Sequence, residues 1–366
     1  VFVINNQTYD QALQMDDFYT DGETNPDYHG GSVRVVNNGN SLGRYSLHND
    51  QWKYGDGFSS AAIYTDSTGD RYYFRGGCPN GAQTFWYYVC TKNDATDVFE
   101  IRKMDLSDGS TAAVGTITPD TSILYNGGNV YVNMAYNAED SGYIGVAIGY
   151  NTEGLIPYDI GYIFAYVDLS DDSITTLRNI SAPTQASVIT VGCGSYGTSL
   201  YFSFHGRYYS MVTYQYTDEL TEYNFSTSTE TNDEEHDTGV STFRWTLVLG
   251  HGLYMRSDLG TIDTYLYDED GNQLLDITDA YIPAFGVSWT DGTNRYAFIG
   301  NSSEHFTVKV ESDDTTTNLH SSTSVGPKKY ADEATLHLIP ALDYDGKFWF
   351  APTHRLSWRV PVNEVD

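Results

Sequence analysis

Basic side chains are scarce in this chain, 19 lysines and arginines against 49 acidic residues, so the places where they gather come first. They recur just after the second strand-like stretch of successive repeats. Arg75 follows RYYF, His205 and Arg207 end SLYFSFHGR, Arg256 ends GLYMR, and His354 with Arg355 follow KFWFAPT. Guanidiniums converging on one end of a fold suit bidentate recognition of an acidic ligand, such as a uronate or a sulfated glycan. The other reading is that they neutralise nearby carboxylates, because surface ion pairs are common and weak. Between Cys78 and Cys90 stand Phe85-Trp86-Tyr87-Tyr88, four aromatic residues in a row. Side chains of a strand alternate between its faces, so a ring on each side is expected at the surface. There Trp86, Tyr87 and Tyr88 would stack on sugar or anchor a protein; the alternative is packing beneath a neighbouring loop. Cys78 and Cys90 either close a disulfide loop, contributing about 3 kcal/mol outside the cytosol, or lie with Cys193 as buried thiols.

Metal and catalytic patterns are weaker. Asp268, Asp270 and Asn272 in YDEDGNQ alternate as in Ca²⁺ loops, but no Glu stands at the twelfth position, and the stretch reads better as a turn. Asp233-Glu234-Glu235-His236 lies in TSTETNDEEHDTG (Thr227–Gly239), which reads as a solvated acidic loop between repeats rather than a metal site. No metal ligands or cofactor are expected, with bound Ca²⁺ or another cation left open. The chain has no G-x-S-x-G, H-E-x-x-H or P-loop, so no catalytic residue is assigned and a non-enzyme is favoured.

The elements that would position these residues are strands. KMDLSDGST (Lys103–Thr111) and YVDLSDDSI (Tyr166–Ile174) each run from an apolar strand through Asp-Leu-Ser-Asp into another strand. Asp and Ser bond their own backbone and favour turns, so these are β-hairpins. Looser copies stand at Tyr265–Ile277 and Val308–Leu319. Around them the chain divides into units at 32–58, 59–118, 119–182, 183–230, 240–280, 283–322 and 333–366, with a mean spacing of about 50 residues. Most hold four strands; the last holds three, and Val1–Asn6 forms an apolar strand without a local partner. A four-stranded meander leaves both faces open and needs neighbours to bury them. The rhythm resembles the seven-bladed β-propellers of the kelch and WD-repeat type, without their sequence signatures. The resemblance implies one all-β domain, a seven-bladed propeller of four-stranded antiparallel blades closed by the N-terminal strand. In such a meander the DLSDGS turns share one end of the strands, while Gly76–Asp97, Asn137–Asp159 and Thr227–Thr242 read as long loops at the other, where binding is expected.

Composition sets the environment. A net charge of −30, 35 Asp against 14 Glu and only 7 Lys resemble the proteins of extreme halophiles. Molar salt shortens the Debye length to about 3 Å and removes most of the self-repulsion. An ordinary acidic extracellular protein is the alternative. The surface would repel nucleic acid and anionic membranes, and no apolar run approaches the length of a membrane span. Val1 opens the chain without Met, so either a leader has been removed or the sequence begins late. Sequons at Asn6, Asn179, Asn224 and Asn301 would suit an exported or virion-surface protein. The expected function is a surface or virion propeller, a spike or tail component, binding host glycan or neighbouring structural proteins, as a homo-oligomer or in a larger assembly. A secreted carbohydrate-active hydrolase and a purely architectural lattice module are the alternatives.

Overall fold

Apolar stretches bounded by Asp-, Gly- and Ser-rich turns form strands throughout a computed structural model of the chain. The structure describes residues 33–37, 42–46, 51–53, 64–65, 71–80, 84–92, 98–105, 110–120, 130–137, 142–151, 158–186, 188–209, 214–238, 244–258, 263–277, 285–290, 293–300, 305–322, 341–342, 348–350 and 358–360. Among them there is no helix, and every sheet is an antiparallel meander whose neighbours follow chain order. Val1–Asn6, His354 and Arg355 lie outside these residues, as does the expectation of ring closure.

The chain divides into two units. The first comprises Val1–Asn93, Phe99–Thr116 and Leu336–Asp366. It holds β1 (Val33–Asn37), β2 (Leu42–Ser46) and β3 (Gln51–Lys53) in one three-stranded sheet. A five-stranded sheet follows with β4 (Tyr64–Thr65), β5 (Arg71–Pro79), β6 (Phe85–Lys92), β7 (Phe99–Asp105) and β8 (Thr111–Ile117). Near the C-terminus β25 (Ala341–Leu342), β26 (Phe348–Phe350) and β27 (Trp358–Val360) form the expected three-stranded unit.

The second unit, Asp94–Val98 and Ile117–Thr335, carries four four-stranded sheets. They are β9 (Val130–Tyr136), β10 (Tyr143–Asn151), β11 (Tyr158–Asp168) and β12 (Ser173–Ala186); then β13 (Val188–Tyr196), β14 (Ser199–Tyr209), β15 (Tyr214–Asn224) and β16 (Thr229–Thr238). The third has β17 (Arg244–Gly250), β18 (Leu253–Asp258), β19 (Asp263–Tyr267) and β20 (Gln273–Ile277). The fourth has β21 (Phe285–Thr290), β22 (Arg295–Gly300), β23 (His305–Val310) and β24 (Thr316–Ser322). The first strands of successive sheets, β9, β13, β17 and β21, pack against one another in order.

The expected hairpins are present. Asp105 N donates to Ser110 O at 2.8 Å, and Asp168 pairs with Ser173 around a turn in which Asp172 has φ 60°. Asp268 accepts from the backbone N–H of Asp270 and Asn272, so YDEDGNQ is a turn that spends its carboxylate on its own backbone.

All three expected long loops are instead largely strand. Gly76–Asp97 contains β6, Asn137–Asp159 contains β10, and Thr227–Thr242 contains β16. In β10 the alternation runs between small and large residues: Gly145, Ala147 and Gly149 on one face, Ile144, Val146, Ile148 and Tyr150 on the other. Both faces are buried, so no polar period marks the strand. The small face is required, because a Cβ on Gly145 would meet Cys193 Sγ at 2.7 Å.

Close packing brings a backbone cost. β17 begins its sheet and has one edge without a ladder partner, and unsatisfied buried backbone groups are expensive. Neighbouring side chains fill that edge: Asp218 accepts from Thr246 N at 2.7 Å, Ser203 Oγ accepts from Val248 N at 2.9 Å, and Ser288 Oγ donates to Leu249 O at 2.9 Å. The apolar core runs between sheets, with Tyr162, Phe164, Ile189, Val191, Phe202 and Phe204 in one cluster and Leu247, Met255, Leu266, Ala297 and Val308 in the next.

Candidate functional site

The residues singled out from the sequence separate on folding. Arg75, in the first unit, donates from Nε to Thr91 Oγ1 at 2.8 Å across the β5–β6 pair. Tyr87 and Tyr88 lie on β6 at 3% and 0% exposure, so the rings expected at the surface are core rings instead. The consecutive buried residues Tyr87, Tyr88, Val89 and Cys90 show that β6 is covered on both faces, and consecutive aromatics satisfy both. Trp86 occupies the same strand, opposite Pro79 and Met104. Burial drives the Tyr88 phenol far above its usual range, with the Arg102 guanidinium opposing.

The disulfide expectation is also corrected. Cys78 pairs in register with Tyr87, and Cys90 with Phe74. That offset along the hairpin keeps the two sulfurs apart, and Cys78, Cys90 and Cys193 are all buried thiols outside any disulfide. Cys90 Sγ donates to Glu100 O at 3.5 Å.

In the second unit His205, Arg207 and Arg256 do come together, around residues that sequence reasoning passed over. β14 carries His205 and Arg207, and β17 carries Arg244, Trp245 and Thr246. The indole of Trp245 stacks on His205 with centroids 4.6 Å apart and planes 6° apart, and Arg207 lies over the same indole at 4.8 Å. Trp245 Nε1 donates to Thr190 Oγ1 at 3.0 Å.

At the centre is Asp218 of β15, fully buried. Its Oδ1 accepts from Thr246 N at 2.7 Å and faces His205 Nδ1 at 3.2 Å; its Oδ2 accepts from Thr246 Oγ1 at 2.7 Å and Arg244 Nε at 2.8 Å. A carboxylate only accepts, so His205 carries its proton on Nδ1. Burial pushes the Asp218 carboxyl up, yet the hydrogen bonds from His205 and Thr246 and the charge of Arg244 outweigh it and hold it down at about 2. Burial lowers the His205 imidazole below its ordinary value against the pull of Asp218, which keeps the ring neutral.

The network continues outward through β16. Asp233 accepts from Arg244 Nη1 at 3.1 Å on both oxygens and from Arg256 Nη2 at 2.9 Å. Arg256 Nε also donates to Thr246 Oγ1 at 3.2 Å. Glu235 accepts from Tyr216 Oη at 2.6 Å and lies 3.3 Å from Arg244 Nε. The stretch read as a solvated loop is therefore an edge strand whose acids bind arginines of the next sheet.

The residue beside Asp218 does the same work in the other direction. Successive strand residues point to opposite faces, and Glu219 turns toward the preceding sheet. There its carboxylate accepts from Tyr162 Oη and Thr221 Oγ1 and pairs with Arg178 of β12 at 3.1 Å. Glu230 and Glu234 of β16 also lie within 3.7 and 3.4 Å of Arg178. Burial raises the Glu219 carboxyl above its ordinary value despite these partners.

Chemically, this arrangement is a brace. Asp218 has four donors on its two oxygens, which uses all of a carboxylate's acceptor sites and leaves none for a substrate proton. His205 is sealed at 0% exposure between that carboxylate and Trp245. Among the described residues no group of three or more His, Cys, Asp or Glu could hold a metal ion.

No family model matches the chain, and no curated protein matches it. Among solved structures it is similar to prolyl oligopeptidase B from Galerina marginata, at 11% identity and TM-score 0.44 over 93% of this chain and 48% of that one. It is likewise similar to an acylaminoacyl peptidase from Pyrococcus horikoshii, at 12% identity and TM-score 0.44 over 90% and 48%. The chain spans about half the length of these two peptidases. The β-propeller domain of the trilobed protease from Pyrococcus furiosus is 10% identical over 90% of this chain and 88% of its own, with TM-score 0.43. An ulvan lyase solved bound to GlcA(1-4)Rha3S is 8% identical over 99% and 96%, with TM-score 0.43.

Proposed function

We propose that this chain is a non-enzymatic recognition module: a seven-bladed β-propeller, closed by Val1–Asn6, displayed outside the cell or on a virion in a high-salt environment. Its partner is an acidic glycan or a neighbouring structural protein. The observation that carries the reading is the state of the His205–Asp218 pair. These are side chains with the means for acid–base chemistry; the carboxylate is saturated, and both are buried as a tie between sheets. The stacking of β9, β13, β17 and β21 supports the propeller, because radial blades bury their faces in that way. Ligand contact is proposed at the half-buried Arg207 in the second unit and, as a separate contact, at the half-buried Arg75 and at Trp86 in the first. Arg256 is occupied by Asp233 and Thr246, and its part is to hold that end rigid.

The test is binding without turnover. Labelled protein in 3 M NaCl is applied to uronate-containing and sulfated glycans and to cells from its own environment, and the same glycans are checked for shortened products. Retention on an acidic glycan or a cell surface with no change in glycan length supports the reading. Release of new chain ends, abolished by His205→Asn, would establish the hydrolase alternative. Full glycan binding by an Arg75, Arg207 and Arg256 triple mutant would remove the arginines from the site.

A further inference from the structure

Two sequons fall on described residues, and the structure treats their asparagines differently. Asn179 on β12 donates from Nδ2 to Thr118 O at 2.7 Å, so the nitrogen that would carry a sugar already ties β12 to the segment after β8. Asn224 ends β15 at the turn into β16. Its Oδ1 accepts from Thr227 N at 3.1 Å, and a backbone N–H only donates, which fixes the carboxamide's orientation. Ser226 Oγ, Thr227 Oγ1 and Thr198 Oγ1 also donate to Oδ1, at 2.7, 3.2 and 3.4 Å. These bonds draw on the carbonyl side of the carboxamide, and the sequon's own hydroxyl, Ser226, is among them. Ser226 through Asp233 are exposed.

Beside Asn224 is a partly exposed aromatic patch. Phe225 stacks on Tyr143 with centroids 3.7 Å apart and planes 7° apart. Tyr166 and Tyr223 meet Phe225 edge-on at 5.0 and 5.1 Å. All four rings are half-buried, so part of each stays open at this end of the strands. A pyranose face is flat and rich in C–H, and it covers such rings well.

We propose that Asn224 is an N-glycosylation site and that the first sugar rests against the Phe225–Tyr143 patch, while Asn179 stays bare. The donor is an oligosaccharide carried on a polyprenyl diphosphate. Asn224 Nδ2 forms a bond to the anomeric carbon as the bond from that carbon to the diphosphate oxygen breaks. Nδ2 loses a proton, and the lipid diphosphate leaves. This goes beyond the recognition function above and stands or falls separately from it, because it concerns what the chain carries rather than what it binds.

The experiment is secretion of the full chain from a host with an oligosaccharyltransferase, followed by glycopeptide mass spectrometry. The expected result is occupancy at Asn224 roughly tenfold above that at Asn179, the ratio set by opening the bond to Thr118 O so that a transferase can reach the Asn179 nitrogen. Ser226→Ala removes the acceptor hydroxyl but keeps the Thr227 N–H bond to Asn224, so loss of the glycan in that variant is not a folding failure; Ser226→Thr restores it. Phe225→Ala keeps the sequon, and its glycan is released by endoglycosidase from the folded protein several-fold faster than that of the parent. Absence of sugar at Asn224, or occupancy at Asn179 equal to it, overturns the site assignment. Unchanged release from Phe225→Ala overturns the contact with the rings.

Discussion

Asp218→Asn tests whether the buried network holds the second unit together. The substitution is nearly isosteric, so packing is preserved while chemistry changes. Asn turns an –NH₂ toward donors that Asp218 satisfied, either Arg244 Nε and the Thr246 hydroxyl or His205 Nδ1 and Thr246 N. Breaking a buried ion pair from one side costs about 3–5 kcal/mol. Arg244 retains Asp233 and Glu235 and is 18% exposed, which places the expected loss near the lower end, about 3 kcal/mol. With an unfolding entropy of about 2.1 cal/mol/K per residue, that lowers the melting temperature of a chain this size by about 4 °C. Urea unfolding in 3 M NaCl supplies the free energy, and calorimetry the temperature. Asp233→Asn is the control: its side chain is 50% exposed, and an exposed pair is worth at most about 1 kcal/mol. A double-mutant cycle with Arg244→Met should then show strong coupling to Asp218 and weak coupling to Asp233. Losses for Asp218→Asn and Asp233→Asn that agree within about 0.5 kcal/mol would refute the idea that burial makes Asp218 the centre of the network.

Adjacent residues should also give opposite pH dependences. Asp218 is held down at about 2, so its contribution is complete above the ordinary carboxylate value and disappears as pH falls toward 2; Asp218→Asn should flatten that acid limb of the stability profile. Glu219 is raised, so its contribution is complete below the ordinary Glu value and is lost as pH rises. Glu219→Gln should therefore improve relative to the parent as pH rises above the ordinary Glu value, and a parallel pair of profiles would refute the assignment. Circular dichroism should show a folded β spectrum at 3 M NaCl and unfolding at 0.1 M; identical spectra would rule out a halophilic protein. A thiol reagent should find no reactive cysteine in the native protein and three after unfolding, whereas two fewer would reveal a disulfide.

The parts of the fold legible in the sequence were those whose turns have their own chemistry. DLSDDS and YDEDGNQ are turns because Asp168, Asp171 and Asp268 bond backbone N–H groups close by, and that information is local. β10 was hidden because its period is small against large rather than polar against apolar, which only the neighbouring β13 explains. In β15 the charged pair Asp218-Glu219 interrupts the apolar pattern, and its partners, Arg244 and Arg178, are distant in sequence. β16 reads as a loop because a strand with Asp233, Glu234 and Glu235 in succession has no apolar face to announce it. His205, Arg207 and Arg256 share a repeat position on the second strands of their sheets, which the sequence shows. Their role depended on Trp245 and Asp218, which carried no repeat signal.

The opposite facing of Asp218 and Glu219 has a consequence for how the unit comes apart. Arrays of repeats in which each contacts only its neighbours open from their ends, one module at a time. Here a single strand grips the sheet before it through Arg178 and the sheet after it through Arg244. Local opening of β15 therefore strips both interfaces at once. Amide hydrogens of β11, β14 and β17 should share one exchange free energy, close to that of global unfolding, in place of a gradient along the chain. The acidic pair makes three modules into one cooperative block.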